Sequence, residues 1–469
     1  MTALEHPARR ADGPGRPPAR VPFPVVDEVS RHCLQEEEPE TVHIEVHLPG
    51  TPDPDRLRTA FAEALRRHPR ILMREARGPW YRRRYEWELT AEPDVEVVTF
   101  PPAEPDALKR ARERALAEAP PLTSSPPIRL EVVTPSPTDG TPGAESRGSV
   151  LFLTINHTAL DGPACLRVLA TAAELYGGRD NSPAAPPSRA PAGPQAAQEQ
   201  PPPDAPSGWS PPARVAKGSP EPSPGNGMLV AELPVPRRPK GSPFTVNDQL
   251  MVATALMIAH WNREHGARPR PFRITMPVDD RPRDATMPIG NGTRLVEVAF
   301  GAHELASRDW TPEATRDLLR RTSERTRALK ALPRPQLGRG AALLTAPVLP
   351  VTLRAAATRG LRRAAAPWTS TTLLSNIGRV PYALDFGDAG RAHAVWFSAP
   401  ARLPRGLTVT TASTAGRLHL ALRWSKTLLS HGDGAHLRDL FEHYLHATEH
   451  TEPGDHGAQK NAKKQEGPQ

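Results

Sequence analysis

The sequence predicts a layered α/β protein with two lobes. With 469 residues, the chain is about three times as long as a typical domain, so we expect two hydrophobic cores rather than one. Strand-like alternation and helical periodicity interleave both before and after a proline-rich stretch from Asn181 to Gly227. That stretch holds 14 prolines and favours an extended spacer between an N-terminal lobe, residues 23–180, and a C-terminal lobe, residues 228–450.

The N-terminal lobe begins with a helical pattern near Val25 to Gln35. From Val42 to Leu48 apolar residues alternate with His43, Glu45 and His47, which predicts a strand with one apolar face and one exposed polar face. The same reasoning predicts helices at Asp55 to Arg67, Asp106 to Ala117 and Pro163 to Tyr176, and strands at Ile71 to Arg74, Tyr81 to Leu89, Val95 to Phe100, Ile128 to Val133 and Val150 to Ile155.

The C-terminal lobe repeats these patterns, while the two chain ends lack them. Residues 1–22 and 451–469 are predicted to be a disordered arm and a disordered tail. Between them lie predicted helices at Val246 to Glu264, Pro312 to Leu329 and Gly434 to His446, and strands at Met228 to Leu233, Phe272 to Val278, Arg294 to Phe300, Thr371 to Ser375, Ala392 to Ser398, Leu407 to Ser413 and Arg417 to Trp424.

Composition narrows the classes of function. The net charge is +8, but the 52 arginines and 8 lysines are scattered and form no basic face with interleaved aromatics, so we expect no nucleic-acid partner. The two cysteines are far apart, which fits a reducing compartment. The first twenty residues lack an apolar leader, and the longest uncharged run, Ala364 to Gly378, is too short to cross a bilayer. These features predict a cytoplasmic protein without a membrane partner, and we expect a monomer.

The stretch Asn156 to Gly162 (NHTALDG) carries the candidate chemistry. It follows a predicted strand and begins a predicted helix, so its side chains are held by rigid elements yet reach solvent. His157 is the candidate base, although a histidine that is merely hydrogen-bonded at a strand end gives the same pattern. Asp161 equally fits a helix N-cap ahead of Pro163, and Gly162 fits a close approach of the helix.

The stretch resembles the HHxxxDG signature of the condensation domains of nonribosomal peptide synthetases. It also resembles related acyltransferases, including the mycobacterial polyketide-associated enzymes and the HxxxD enzymes of the plant BAHD family. One departure is that Asn156 stands where the signature has its first histidine. Further segments match in the order of the family: Leu65 to Pro69 (LRRHP), Met276 to Pro282 (MPVDDRP), Ile289 to Asn291 (IGN), Leu374 to Gly378 (LSNIG) and Asp385 to Gly387 (DFG).

The resemblance, which spans Phe23 to Ala447, implies two chloramphenicol-acetyltransferase-like subdomains arranged as a V-shaped pseudo-dimer. The active site would then be a tunnel between them, open from both faces. The resemblance also implies that His157 is catalytic and that Arg281 forms an ion pair with Asp161, so that Asp161, Gly162 and Arg281 support the motif structurally. No bound cofactor or metal is expected, and the co-substrate would be a phosphopantetheine thioester, either acyl-CoA or an acyl carrier protein.

Acyl transfer requires a base to take a proton from an amine or alcohol acceptor, and a neutral imidazole such as that of His157 suits this task. Attack on the thioester carbonyl forms an oxyanion, for which Ser375 and Asn376 are candidate donors or substrate contacts. The leading hypothesis is an acyltransferase of natural-product metabolism. The alternative is a catalytically silent condensation-like module that recruits a carrier protein or an enzyme partner.

Three other features of the sequence carry titratable side chains. His43, Glu45 and His47 share one strand face and are residue types that bind metals, but alternating polar residues on an exposed strand face are the ordinary interpretation. His443, His446 and His450 lie near one helical face and are expected to be solvated. Cys165, one turn past Asp161, is interpreted as a plain helix residue rather than a nucleophile.

Overall fold

The computed structural model describes residues 19–135, 148–183, 210–307, 310–332, 337 and 340–449. The elements before the proline-rich stretch are β1 (Arg20–Pro22), α1 (Val25–His32), β2 (Thr41–Leu48), α2 (Pro54–Arg67), β3 (Met73–Glu75), β4 (Glu86–Leu89), β5 (Val98–Thr99), α3 (Ala107–Ala117), β6 (Ile128–Val133), β7 (Ser149–Asn156) and α4 (Gly162–Gly177).

After that stretch the chain forms β8 (Asn226–Pro234), α5 (Val246–Glu264), β9 (Phe272–Val278), β10 (Arg294–Phe300), α6 (Pro312–Ala331), α7 (Ala341–Leu344), α8 (Val351–Ala365), β11 (Thr372–Arg379), β12 (Ala394–Ser398), β13 (Leu407–Thr414), β14 (Arg417–Ser425) and α9 (His431–Ala447). The predicted α/β fold class is therefore confirmed. The prediction missed α7 and α8, because most of α8 is exposed and its arginines interrupt any apolar stripe.

The first lobe is built on a sheet with the strand order β12-β2-β7-β6-β5. β2 and β7 pair antiparallel along their whole lengths, from Thr41 opposite Asn156 to Leu48 opposite Ser149. Helices α2 and α4 pack together with the apolar face of β2, and α3 covers the other face of the sheet. A smaller sheet, β1-β4-β3, includes residues 20–22, which the sequence assigns to the disordered arm.

The polar face of β2 is buried, so the prediction that it is exposed was wrong. His43, Glu45 and His47 are at most 4% exposed. The guanidinium of Arg112, on α3, donates two hydrogen bonds of 2.8 and 2.7 Å to Glu45, and these contacts hold the pKa of Glu45 well below its usual range despite the opposing effect of burial. No group of three or more His, Cys, Asp and Glu residues in the described chain could hold a metal ion.

The second lobe is built on a sheet with the strand order β10-β9-β11-β13-β14-β8. Its core contains most of α5, which is buried almost all round because α6 and α9 pack beside it. Asp248 accepts a hydrogen bond from the Thr245 backbone as part of a capping box that fixes the start of α5. None of the helices that the structure describes is long and apolar enough to cross a bilayer.

One strand crosses from the second half of the chain to the first lobe. After β11 the chain leaves the second sheet, and β12 pairs antiparallel with β2 at the edge of the first sheet, before β13 returns to the second. The sequence assigned Ala392 to Ser398 to the C-terminal lobe, because alternation predicts a strand without predicting its partner. This crossing strand connects the two lobes covalently and by its hydrogen bonds to β2.

The predicted spacer, Asn181 to Gly227, is only partly described. Residues 184–209 lie outside the described residues, as does the predicted tail, residues 451–469, together with residues 1–18. In the described part Ala213 and Val215 are buried in the core of the second lobe, and β8 begins at Asn226. The C-terminal end of the predicted spacer is therefore docked on the second lobe, because small apolar residues between its prolines reach that core.

Trp396 on β12 tests how strongly the crossing strand holds the lobes together. Its buried ring lies 4.7 Å from His47 of the first sheet and 4.5 Å from His419 of the second, between ring centroids, and its Nε1 donates to Ala231 O at 3.3 Å. We expect Trp396→Ala to lower the free energy of unfolding by about 3–5 kcal/mol, because it leaves a cavity between the sheets. Urea denaturation measures this effect.

The control is Trp80, whose side chain is 75% exposed. Trp80→Ala should change the free energy of unfolding by about 0.5 kcal/mol or less. Equal, small effects at the two positions would show that β12 contributes little to holding the lobes.

Candidate active site

A cavity of about 440 Å³ lies between the two lobes. The first lobe and its crossing strand contribute His157 and Phe397, while β11 of the second lobe contributes Leu373 and Ser375. This volume falls in the range of small-molecule sites. A cavity thus lies between the lobes and His157 lines it, while a tunnel open from both faces stays a prediction.

His157 follows the last residue of β7 and is held at its backbone and at one ring nitrogen. Its backbone N–H donates to Glu40 O at 2.8 Å, and its Nδ1 lies 3.0 Å from Leu160 O. A carbonyl oxygen only accepts hydrogen bonds, so Nδ1 must carry the proton. In the neutral ring this leaves the lone pair on Nε2, which is the arrangement that a general base needs.

Asp161 is 2% exposed, and both of its carboxylate oxygens are engaged. Oδ1 accepts from Ala164 N at 3.0 Å and so caps α4, as the sequence allowed. Oδ2 accepts from Arg281 Nη2 at 2.7 Å and from Gly292 N at 2.8 Å, both in the second lobe. The carboxylate therefore joins the helix start to the other lobe.

Arg281 uses all five of its guanidinium donors. Besides Asp161, it donates to the carboxylate of Asp279 from Nε at 2.9 Å and from Nη2 at 3.1 Å, and Nη1 donates to the carbonyls of Pro288 and Gly290, each at 3.1 Å. Burial opposes the charge, but the two carboxylates outweigh it and raise the pKa of Arg281. The ion pair that the resemblance implied is present, and Asp279 is an additional partner.

Two glycines permit this close packing. A Cβ at Gly292 would lie 2.3 Å from Arg281 Nε, so the guanidinium fits beside the backbone only because position 292 has no side chain. A Cβ at Gly162 would lie 3.3 Å from a ring carbon of Phe397, a tight contact with the crossing strand. Gly162 thus allows α4 to approach β12.

Asn291 clamps the His157 loop from the second lobe. Its Nδ2 lies 3.0 Å from Asp27 Oδ1, 3.2 Å from His157 O and 3.0 Å from Thr158 O. Asp27 is 2% exposed and also accepts from Trp87 Nε1 at 2.9 Å. Burial raises the pKa of Asp27 from 3.8 to about 6, against the lowering effect of these hydrogen bonds.

Asn156, which replaces the first histidine of the signature, is buried at the root of the loop. Its Nδ2 donates to Pro120 O at 2.9 Å, and its Oδ1 accepts from Thr158 N at 3.1 Å. Both ends of the amide are therefore satisfied by backbone groups. The side chain fixes the loop and is not among the residues that line the cavity.

Ser375 and Asn376 both line the cavity, but their side chains differ in freedom. Asn376 Oδ1 accepts from Gly378 N at 2.8 Å and from Thr411 Oγ1 at 3.2 Å, and its Nδ2 lies 3.3 Å from Asn247 Oδ1. Ser375 Oγ has no hydrogen-bond partner among the residues that the structure describes. Ser375 is therefore the better placed of the two to donate to a substrate oxygen.

The remaining segments that the sequence singled out are structural. Burial raises the pKa of the Cys165 thiol well above its usual value, so Cys165 stays protonated inside α4 and is no nucleophile. Asp385 to Gly387 packs against Gly177 at the end of α4. His68 Nε2 lies 2.8 Å from Thr171 Oγ1 on α4. His443 and His446 are exposed as expected, and His450 lies outside the described residues.

Sequence reasoning missed three contributors to the site. The sequence did contain a pointer to Asn291 and Asp279, since both residues lie in segments that resemble the motifs of the family. Arg405 carried no signal, because it lies in an ordinary loop between β12 and β13 and reaches the cavity only in the folded chain.

We expect Asp161→Asn to lower the free energy of unfolding by about 3–5 kcal/mol, because its amide would turn donors towards Arg281 and Gly292 and leave a buried charge without one of its partners. Urea denaturation measures the loss. The matched control is Asp280→Asn, which breaks the neighbouring ion pair with Arg294, where the Asp280 side chain is 57% exposed. That change should cost about 0–1 kcal/mol. Equal midpoints for the two variants would contradict a structural role for Asp161.

Asp27 makes stability depend on pH. Its folded-state pKa lies above the unfolded value, so the stability that it contributes is complete below about pH 4 and is lost as the pH rises through 6. Wild-type protein should therefore lose about 2–3 kcal/mol between pH 4 and pH 7 relative to Asp27→Asn, whose amide does not titrate. Urea denaturation across this range measures the difference. Asp55→Asn, at a fully solvated carboxylate, should follow the wild type, and parallel curves for Asp27→Asn and wild type would contradict the shift.

The chain was compared with known families, proteins and solved structures. No protein-family model matches the chain. An uncharacterized protein of Mycobacterium tuberculosis, found in strains CDC 1551 and H37Rv, is 28% identical over 396 residues, which span 77% of this chain and 84% of that protein.

Solved structures resemble the chain over nearly its whole length. The trichothecene 15-O-acetyltransferase TRI3 of Fusarium sporotrichioides has a TM-score of 0.59 at 15% identity, covering 92% of this chain and 95% of that one. A mutant starter condensation domain of rhizomide synthetase, in complex with C8-CoA, has a TM-score of 0.58 at 15% identity and covers 92% and 96%. The first condensation domain of the CDA synthetase has a TM-score of 0.57 at 14% identity and covers 93% and 97%. The chain therefore has the same two-lobed fold as these condensation domains and this acetyltransferase.

Proposed function

We propose that the protein is an acyltransferase of natural-product biosynthesis, which transfers an acyl group from a thioester donor to an amine or hydroxyl acceptor. The observation that carries this proposal is the hydrogen bonding of the His157 ring. Its Nδ1 proton is committed to Leu160 O, so the basic Nε2 is left for a cavity shared by both lobes. The donor would be a phosphopantetheine thioester, as acyl-CoA or on an acyl carrier protein.

In this mechanism Nε2 of His157 accepts the proton of the acceptor as its nitrogen or oxygen attacks the thioester carbonyl. The carbonyl oxygen becomes an oxyanion, and Ser375 Oγ–H is the side-chain donor that we assign to it. The tetrahedral intermediate then collapses, the carbon–sulfur bond breaks, and the imidazolium returns its proton to the departing thiolate. The amide or ester and the free thiol leave, and His157 is neutral again.

The buried carboxylate of Asp161 has a structural task. Asp161 is saturated by Ala164, Gly292 and Arg281, so it neither shuttles protons nor orients the imidazole directly. The ring is oriented by a backbone carbonyl instead. This supports a mechanism in which one residue carries the proton and its surroundings fix where that residue lies.

A silent module that recruits a carrier protein is the competing function. The intact set of His157, Asp161 and Arg281 favours the enzyme, since a binding module does not require a histidine base in the lining of a cavity. The two are separated by turnover: if the wild-type protein bound a phosphopantetheinylated carrier protein but released no thiol from any acyl donor, the recruiting function would be supported.

We expect His157→Ala to lower the rate of transfer by about 10²–10⁴-fold, because the variant loses its general base. Its free energy of unfolding should fall by about 1 kcal/mol or less, for the one side-chain hydrogen bond removed. Thiol release from a panel of acyl-CoA donors, with amine and alcohol acceptors, measures the rate. His443→Ala, at an exposed histidine, is the matched control and should transfer at the wild-type rate. A wild-type rate in His157→Ala would remove His157 from the mechanism.

A further inference from the structure

Each acidic side chain that lines the cavity forms an ion pair with an arginine. Asp161 and Asp279 share Arg281, and Glu40 forms an ion pair with Arg402. Every carboxylate among the described residues that line the cavity therefore already has an arginine partner.

Arg405 lines the same cavity without an acidic partner. Its Nε and Nη2 lie 3.2 and 3.0 Å from Ser370 Oγ, and Nη2 lies 3.4 Å from Thr275 Oγ1. Within the described ranges no carboxylate is close enough to form an ion pair with it, and its Nη1 has no hydrogen-bond partner there. The guanidinium is thus held on one side by two hydroxyls, with donors left over on the other.

The surroundings of Arg405 disfavour its charged form. Burial lowers the pKa of Arg405 to about 10, although the charges of Glu297 and Glu40 oppose that effect. Both acids already have nearer arginines, since Glu297 lies 3.7 Å from Arg273 and Glu40 is paired with Arg402. Arg405 is half-buried, and a hydrogen-bonded cation in such a place that lacks a counter-ion gains from an anionic ligand.

We propose that Arg405 is a specificity-determining residue that binds a carboxylate group of the substrate inside the cavity. This rests on the proposed acyl transfer, because it names a chemical class of substrate for that same site. The carboxylate belongs either to the acceptor or to the far end of the transferred acyl chain. Arg405 would hold the carboxylate end of the bound molecule, and His157 would act at the reacting group of the same molecule.

The position of Arg405 favours a carboxylate over a phosphate of the donor. Thr275 pairs with Leu373 at the start of β11, and β11 lines the cavity from there through Ser375 to Ile377. The Thr275 contact of Arg405 is therefore level with a residue that lies two positions, about 7 Å, along β11 from Ser375, the oxyanion donor that we assign. The phosphates of a thioester donor are separated from its sulfur by the whole pantetheine arm, so they lie outside a cavity of this size when the thioester is at the reacting position.

Binding of hexanoate and of its neutral isostere hexanamide tests the carboxylate subsite without requiring turnover. We expect wild-type protein to bind hexanoate about ten-fold more tightly or better, as measured by ligand-observed NMR titration. In Arg405→Gln the preference should fall to about one, and Arg405→Lys should keep part of it. The matched control is Arg283→Gln, at an arginine that lines the end of the cavity beyond β11, which should keep the full preference.

A measurement on the wild-type protein covers the case in which Arg405→Gln fails to fold. Phenylglyoxal modifies accessible guanidinium groups, and mass spectrometry locates the modified arginine. Hexanoate should protect Arg405 from modification, and hexanamide should not. Equal binding of acid and amide by the wild type, an undiminished preference in Arg405→Gln, or absence of protection would overturn the proposal. Displacement of hexanoate by inorganic phosphate at lower concentration than by acetate would overturn the assignment to a carboxylate.

Kinetics then identify which substrate carries the carboxylate. With the turnover assay, Arg405→Gln should raise the KM of one substrate about ten-fold with little change in kcat: that of a carboxylate-bearing acceptor, or that of an acyl-CoA with a terminal carboxylate. If the wild type transferred no acyl group but still preferred hexanoate through Arg405, the proposed function would fail while the subsite stood. Turnover with unchanged KM values in Arg405→Gln would overturn the subsite alone.

Discussion

The ion pair between Asp161 and Arg281 sets the geometry on which the site depends. The loop that carries His157 belongs to the first lobe, yet its last residue is held by a guanidinium and a backbone amide of the second, at 2.7 and 2.8 Å. Asn291 adds a second clamp through the carbonyl of His157 itself, at 3.2 Å. Because Asp161 is buried and both of its carboxylate oxygens are engaged, a change in the spacing of the lobes would leave its charge without a partner, and this cost opposes such a change.

Strand β2, which begins directly after Glu40, also depends on an arginine of the second lobe for its position. Arg423, on β14 of the second sheet, is 1% exposed and donates to Thr41 O at 2.7 Å, at the start of β2. The preceding residue, Glu40, provides the carbonyl that receives the His157 amide. Burial lowers the pKa of Arg423 to about 10, and it is held by carbonyls and Asn226 rather than by a carboxylate. Two arginines of the second lobe thus hold the first lobe near His157: Arg423 at the start of β2 and Arg281 at the end of the His157 loop. The crossing strand β12 joins the two lobes in addition.

The sequence predicted what depends on local pattern and missed what depends on distant partners. Helix α4 and strand β2 appeared at nearly their observed bounds, because periodicity and capping are encoded in neighbouring residues. The polar face of β2 was wrongly predicted to be exposed, because its partner Arg112 lies 67 residues from Glu45 along the chain. Pairing of Asp161 with Arg281 came from the resemblance to a family, whereas Arg405 had no local pattern to reveal it.

The departure at Asn156 follows from the same geometry. A neutral histidine offers one donor and one acceptor on its ring, and the amide of Asn156 offers the same pair, which the structure directs to Pro120 O and Thr158 N. What this position needs is a side chain that joins the end of β7 to the loop, not one that titrates. On the proposed mechanism, proton transfer belongs to His157 alone, so replacement of the first histidine by asparagine retains the support of the loop without removing a catalytic group.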